Sequence, residues 1–177
     1  PDMSTLPKQV IFGDPHKGIV DDVIEDFTSF VRGKAQILAT CRIEDLKASN
    51  DDSGQTGFAR VEPKMLKRCD FAVVFGGDGS IISTARNLSK VSLPVIGVNL
   101  GKLGFLAEFS VAELKERFAD IVSGRAPIEK RMILGCQVFR NGRREFNSSA
   151  INDVFITAGP PFRMIEMNIS VDAQQLA

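Results

Sequence analysis

The stretch FAVVFGGDGS, Phe71 to Ser80, constrains the fold of this chain more than any other segment. Five apolar residues without polar alternation read as a strand covered on both faces, the situation of a parallel sheet flanked by helices. The strand runs straight into Gly76, Gly77, Asp78 and Gly79, where a plain turn needs one or two glycines at most. Bare glycine lets another molecule approach the main chain closely, and a carboxylate set among glycines calls for a use of its own.

The rest of the first 125 residues agrees with a covered parallel sheet. KQVIFG predicts a strand over Gln9 to Phe12, stopped by Gly13, Asp14 and Pro15. Val20, Val23, Ile24, Phe27, Phe30 and Val31 recur at three- and four-residue steps, the apolar stripe of a helix, with Gly33 just past its end. AQILAT and PVIGVN predict further strands, and Ile81, Ile82, Ala85 and Leu88 a helix stripe after the glycine turn. Ser110 with Glu113 forms a capping box ahead of a helix carrying Leu114, Phe118, Ile121 and Val122, closed by Gly124. Strand and helix alternate throughout, which predicts the α/β class with a mainly parallel sheet. The polar stretch from Ser49 to Gly57 reads as an exposed loop with Asp51 and Asp52 solvated.

From about Ala126 the texture changes. Asn141-Gly142 between strand-like runs is a hairpin signal, and MIEMNISV alternates apolar with polar residues from Met164 to Val171. The expected organisation is an α/β domain over 1–125 and the start of an antiparallel β-rich second domain over 126–177, which is incomplete.

Composition excludes several function classes. Twenty-two basic residues balance 22 acidic ones, which does not suggest a nucleic-acid surface. No apolar run approaches the length of a membrane span, and no signal-like segment opens the chain. The three cysteines, Cys41, Cys69 and Cys136, are far apart and form no C-x-x-C pair. They fit free thiols in a reducing, cytoplasmic compartment rather than a zinc site or disulfide frame, with Cys69 and Cys136 expected in the core. His16 beside Pro15 reads as a solvated loop residue, and no metal-ligating cluster is expected.

Ligands of open α/β sheets gather at the carboxyl ends of the strands, where Gly76 to Gly79 lie. Glycine N–H groups and the positive end of the following helix can cradle phosphate. Asp78 makes chemical sense there if it orients, or takes a proton from, a hydroxyl that attacks a phosphoryl group, or if it holds magnesium. A purely structural alternative makes Asp78 the N-cap of the next helix. Neither a Walker-type lysine motif, a G-x-G-x-x-G turn nor a serine elbow is present.

G-G-D-G followed by Ser or Thr resembles the motif shared by 6-phosphofructokinases, diacylglycerol- and sphingosine-type lipid kinases and NAD kinases. Two later segments narrow the choice. GVNLGKLGFLAEF, Gly97 to Phe109, and AINDVFI, Ala150 to Ile156, are similar to NAD kinase segments in the same order. The resemblance implies transfer of the terminal phosphate of ATP, with Mg2+, to the 2′-hydroxyl of the adenosine ribose of NAD, giving NADP. It implies Asp78 as the base or orienter, and Gly76, Gly77 and Gly79 as the points of phosphate and ribose approach. Asn152 and Asp153 would hydrogen-bond ribose hydroxyls, and Phe105 would line the adenine pocket or act as a plain core aromatic. Polyphosphate is an alternative donor, Lys102 is a solvated loop lysine or a phosphate contact, and a homo-oligomer is expected.

Two departures from the family pattern stand out. The acid after Asn152 is Asp153 rather than Glu, one methylene shorter. The family's later T-G-S-T-A-Y-type segment is not among these residues, so the chain covers part of the family's length. Two other readings remain at this point: a diacylglycerol-type lipid kinase, for which Arg140, Arg143 and Arg144 would meet anionic headgroups, and a non-catalytic nucleotide-binding domain.

Overall fold

The computed structural model describes residues 6–14, 19–46, 61–101 and 109–176. His16, the loop with Asp51 and Asp52, Lys102 and Phe105 lie outside the described residues. Two compact units divide between Met132 and Ile133. Residues 125–133 form neither helix nor strand.

In the first unit four parallel strands stand in the order β2-β1-β3-β4: β1 (Lys8–Gly13), β2 (Gln36–Arg42), β3 (Phe71–Gly76) and β4 (Val95–Asn99). Each lies where the apolar runs predict it. Residues of β3 alternate between two cores. Ala72 and Val74 join Val10, Phe12, Ile81 and Leu88 on one face. Val73 and Phe75 join Ile11, Phe27, Leu114 and Phe118 on the other. Full burial of all six β3 residues is the physical reason for its missing alternation.

The helices follow from the same economy of burial. α1 (Val20–Val31) and α4 (Val111–Val122) cover the second core, and α3 (Asp78–Leu88) covers the first. Right-handed crossovers put α1 and α3 on opposite faces, because the path from β1 to β2 runs across the sheet opposite to the path from β3 to β4. Gly33 and Gly124 adopt φ of 77° and 72° just beyond α1 and α4, the left-handed conformation that ends a helix. The capping box at Ser110 and Glu113 is present in both directions, and these hydrogen bonds hold the Glu113 carboxyl below the usual carboxylate range. Within α3 the buried stripe is Ile81, Thr84 and Leu88, while Ile82 and Ala85 are half-buried. A short helix, α2 (Pro63–Leu66), was not expected; one turn is too short to show a period.

The second core is centred on Phe27, which is fully buried. Its ring meets Phe75 edge-on at 5.3 Å and Phe118 at 5.6 Å between centroids. Phe27→Ala is expected to cost about 3–5 kcal/mol of stability, the range for truncating a buried aromatic. Urea unfolding would read this as a lower midpoint with an unchanged slope.

Cys69 packs half-buried against the first core, where burial, followed by the charge of Asp70, pushes its thiol up to about 11. Cys136 departs from expectation: it is half-buried on a hairpin and belongs to neither core.

The second unit holds two antiparallel pairs, β5 (Leu134–Arg140) with β6 (Arg143–Ala150), and β7 (Ser170–Val171) with β8 (Gln174–Gln175). Asn141 and Gly142 both take positive φ, 50° and 75°, as the expected two-residue hairpin turn demands. The strand expected over Met164 to Val171 is corrected to its last two residues. A strand needs a paired neighbour, and among the described residues Met164–Ile169 has none beyond the Ile169 carbonyl accepting from Leu176 N–H. No described residue of this unit is buried; Phe139, Phe146, Phe155 and Phe162 are exposed.

Candidate active site

The strand order reverses direction between β1 and β3, and the carboxyl ends of these two strands define the switch point of the sheet. Gly13 ends β1 there with Asp14 just beyond it, and Gly76 to Gly79 lead from β3 into α3. The glycine motif thus occupies the position where open α/β sheets take their ligands.

The three glycines differ in what surrounds them. A Cβ on Gly76 would stand 2.8 Å from Ser80 Cβ and 3.3 Å from Asp14 Cβ, so Gly76 is demanded by close packing inside the protein. Among the described residues, a Cβ on Gly77 or Gly79 would meet no atom within 4 Å. Neither has a positive φ. The described residues therefore give no steric reason for glycine at 77 or 79.

Gly77 is the N-cap of α3, with extended backbone (φ −98°, ψ 177°) and no side-chain cap bond. Asp78 is the first helical residue, half-buried, and so does not fill the N-cap position that the structural alternative gave it. Eleven residues of α3 direct their partial positive charge toward this turn. Unpaired N–H groups of a first helical turn, together with bare glycine, suit the oxygens of a phosphate.

Two side chains missed by sequence reasoning complete the turn. Ser80 Oγ donates to Asp14 Oδ2 at 2.5 Å, across 66 residues of sequence. The Asp14 N–H donates to the Phe75 carbonyl at 3.0 Å. Their only signal in the sequence was the Gly13-Asp14-Pro15 strand stop and the Ser or Thr that closes the glycine motif.

The neighbouring strand end frames the same side. Asn99, last in β4, lies opposite Gly76 in the register, and its Oδ1 accepts from Gly101 N–H at 2.8 Å. The chain returns at Phe109, whose carbonyl accepts from Asn99 N–H at 2.9 Å. Phe105 lies outside the described residues. Asn152 and Asp153 belong to the second unit, exposed, just after β6. Among the described residues no group of three or more His, Cys, Asp or Glu could hold a metal, and no helix is long and apolar enough to cross a membrane.

Residues 27–126 match the family model described as the ATP-NAD kinase N-terminal domain. The chain belongs to the NAD kinase family. Curated NAD kinases are also similar to the chain. The Azoarcus sp. (strain BH72) protein is 42% identical over 107 residues, 60% of this chain and 36% of the relative. That of Thiobacillus denitrificans is 40% identical over 144 residues, 81% of this chain and 47% of the relative. This NAD kinase family chain spans less than half the length of these relatives. Its fold is also that of a yeast NADH kinase solved with NADH, with a TM-score of 0.62 and 24% identity over 83% of this chain and 47% of that one. Family membership removes the main ground for the lipid-kinase alternative. At the hairpin Arg140 pairs with Glu145 at 3.4 Å.

Proposed function

We propose that the protein transfers the terminal phosphoryl group of ATP to the 2′-hydroxyl of the adenosine ribose of NAD, giving NADP. The observation that carries this reading is the turn at the switch point: Asp78 between two glycines, at the N-terminus of α3, in a chain of the NAD kinase family.

Each residue has a part in that reaction. The Asp78 carboxylate accepts a hydrogen bond from the attacking hydroxyl, orients it, and takes its proton as the new O–P bond forms and the bond to ADP breaks. N–H groups at Gly77 and Gly79 hold phosphate oxygens. Asn152 and Asp153 hydrogen-bond ribose hydroxyls, and Phe105 lines the adenine side. The shorter Asp153 keeps the acceptor chemistry of a glutamate with less reach. In the alternative use of Asp78, its carboxylate would hold magnesium, a hard cation that takes oxygen donors and would offset phosphate charge. Residues 1–125 in this scheme carry the phosphate turn and residues 126–177 contribute to the NAD side. A homo-oligomeric, cytoplasmic enzyme belongs to the same reading, supported by the family and by the free cysteines.

The test is formation of NADP from NAD, ATP and magnesium by the full-length protein. NADP above the enzyme-free control is expected. Saturable NAD binding with no NADP would leave a nucleotide-binding domain without catalysis, and competition by anionic liposomes but not by NAD would overturn the assignment of the acceptor.

A further inference from the structure

We propose that Ser80 and Asp14 are positioning residues that set where the Asp78 carboxylate stands; this rests on the kinase reading above. The beginning of α3 is poorly restrained by itself. Its N-cap, Gly77, supplies no side-chain bond, and Gly79 follows Asp78 directly. Glycine carries the largest backbone freedom of any residue, and first-turn N–H groups have no intrahelical partners. A turn so rich in glycine gains order from a hold that reaches it from outside the helix.

Ser80 supplies that hold. It is the third residue of α3, and its hydroxyl donates to Asp14 Oδ2. Asp14 is itself tied by its N–H to the Phe75 carbonyl, next to Gly76. Gly76 lacks the Cβ that would collide with Ser80 and with Asp14, which lets the three approach. One side-chain bond, one main-chain bond and one missing methyl group thereby tie the first turn of α3 to the carboxyl ends of β1 and β3. The bond is charge-assisted, stronger than a neutral one, and the acid stands at the favourable end of the helix dipole. Position, rather than contact with substrate, is the role: catalytic groups lose rate steeply with small displacements.

The full-length protein carries the test, with Ser80→Ala, Ser80→Thr and Asp14→Asn compared with the parent. Ser80→Ala is expected to lower kcat for NADP formation by about tenfold or more while KM for NAD and for ATP stays within about twofold. Ser80→Thr, which keeps the hydroxyl, restores kcat to within about threefold, and Asp14→Asn falls between them because the acceptor loses its charge. Amide exchange at 78–81 is expected to quicken by about tenfold in Ser80→Ala without a matching change elsewhere. Should Ser80→Ala fail to fold, Asp14→Asn carries the same two readouts. Unchanged exchange at 78–81 overturns the proposal whether or not the parent makes NADP. Faster exchange with unchanged kcat, or no rescue by threonine, overturns the positioning role alone. A parent that makes no NADP counts against the kinase reading and, with it, against any role in that reaction.

Discussion

Asp78→Asn is expected to lower the rate of NADP formation by the full-length protein by about a thousandfold, within the range attributed to a lost general base. Asparagine has the size and shape of aspartate but does not take up a proton, so nucleotide binding should persist while turnover fails. Three orders of magnitude correspond to about 4 kcal/mol in the barrier. Stability should barely register the change. Asp78 is half-buried at the first position of α3 and belongs to neither core. Its charge at the helix start is worth about 0.3–1 kcal/mol, or a fall of no more than about 4 °C in Tm for a chain of this size. The gap between a large kinetic effect and a small thermal one separates chemistry from folding. A variant that keeps most of its rate removes Asp78 from the mechanism.

Much of this architecture was legible because local pattern and tertiary burial report the same fact. Phe71 to Gly76 lacks alternation since helices cover both faces, and Asn141-Gly142 turns a hairpin since both residues take positive φ. The Ser110–Glu113 box is a contact three residues long, so the sequence contains all of it. What escaped was longer in range or weaker in pattern. Thr84 replaces an expected apolar position in the α3 stripe because geometry, not hydrophobicity, decides which face of a helix meets the sheet. Met164 to Ile169 alternates as a strand would, but alternation marks a face and says nothing of a neighbour to pair with. Near the switch point, the turn of Gly76 to Gly79 was legible because it lies in four consecutive residues at the end of a buried strand. The Ser80–Asp14 bond was not, since it joins residues that only the β1–β3 pairing brings together.

The glycines make the second large prediction, because sequence gives them one meaning and the structure gives them two. Gly77→Val is expected to leave the fold in place and to weaken binding of ATP–magnesium or NAD by at least about a hundredfold, read by calorimetric titration of the full-length protein. The backbone at Gly77 is extended, a region that valine prefers, and its new Cβ would meet no atom of the described residues within 4 Å. Valine is a poorer N-cap than glycine, which costs no more than about 1 kcal/mol. Against that, its branched side chain would fill the space through which phosphate oxygens reach the main chain. Losing even two hydrogen bonds to a charged group, at about 1.5–3 kcal/mol each, exceeds a hundredfold in affinity. Gly76→Val should behave in the opposite way. There the Cβ already collides at 2.8 Å with Ser80, and overpacking of about 1–3 kcal/mol or more would appear as a lower unfolding midpoint before any ligand is added. Equal affinity in Gly77→Val and the parent would mean that Gly77 serves only to turn the chain, and the phosphate-binding role would have to move elsewhere.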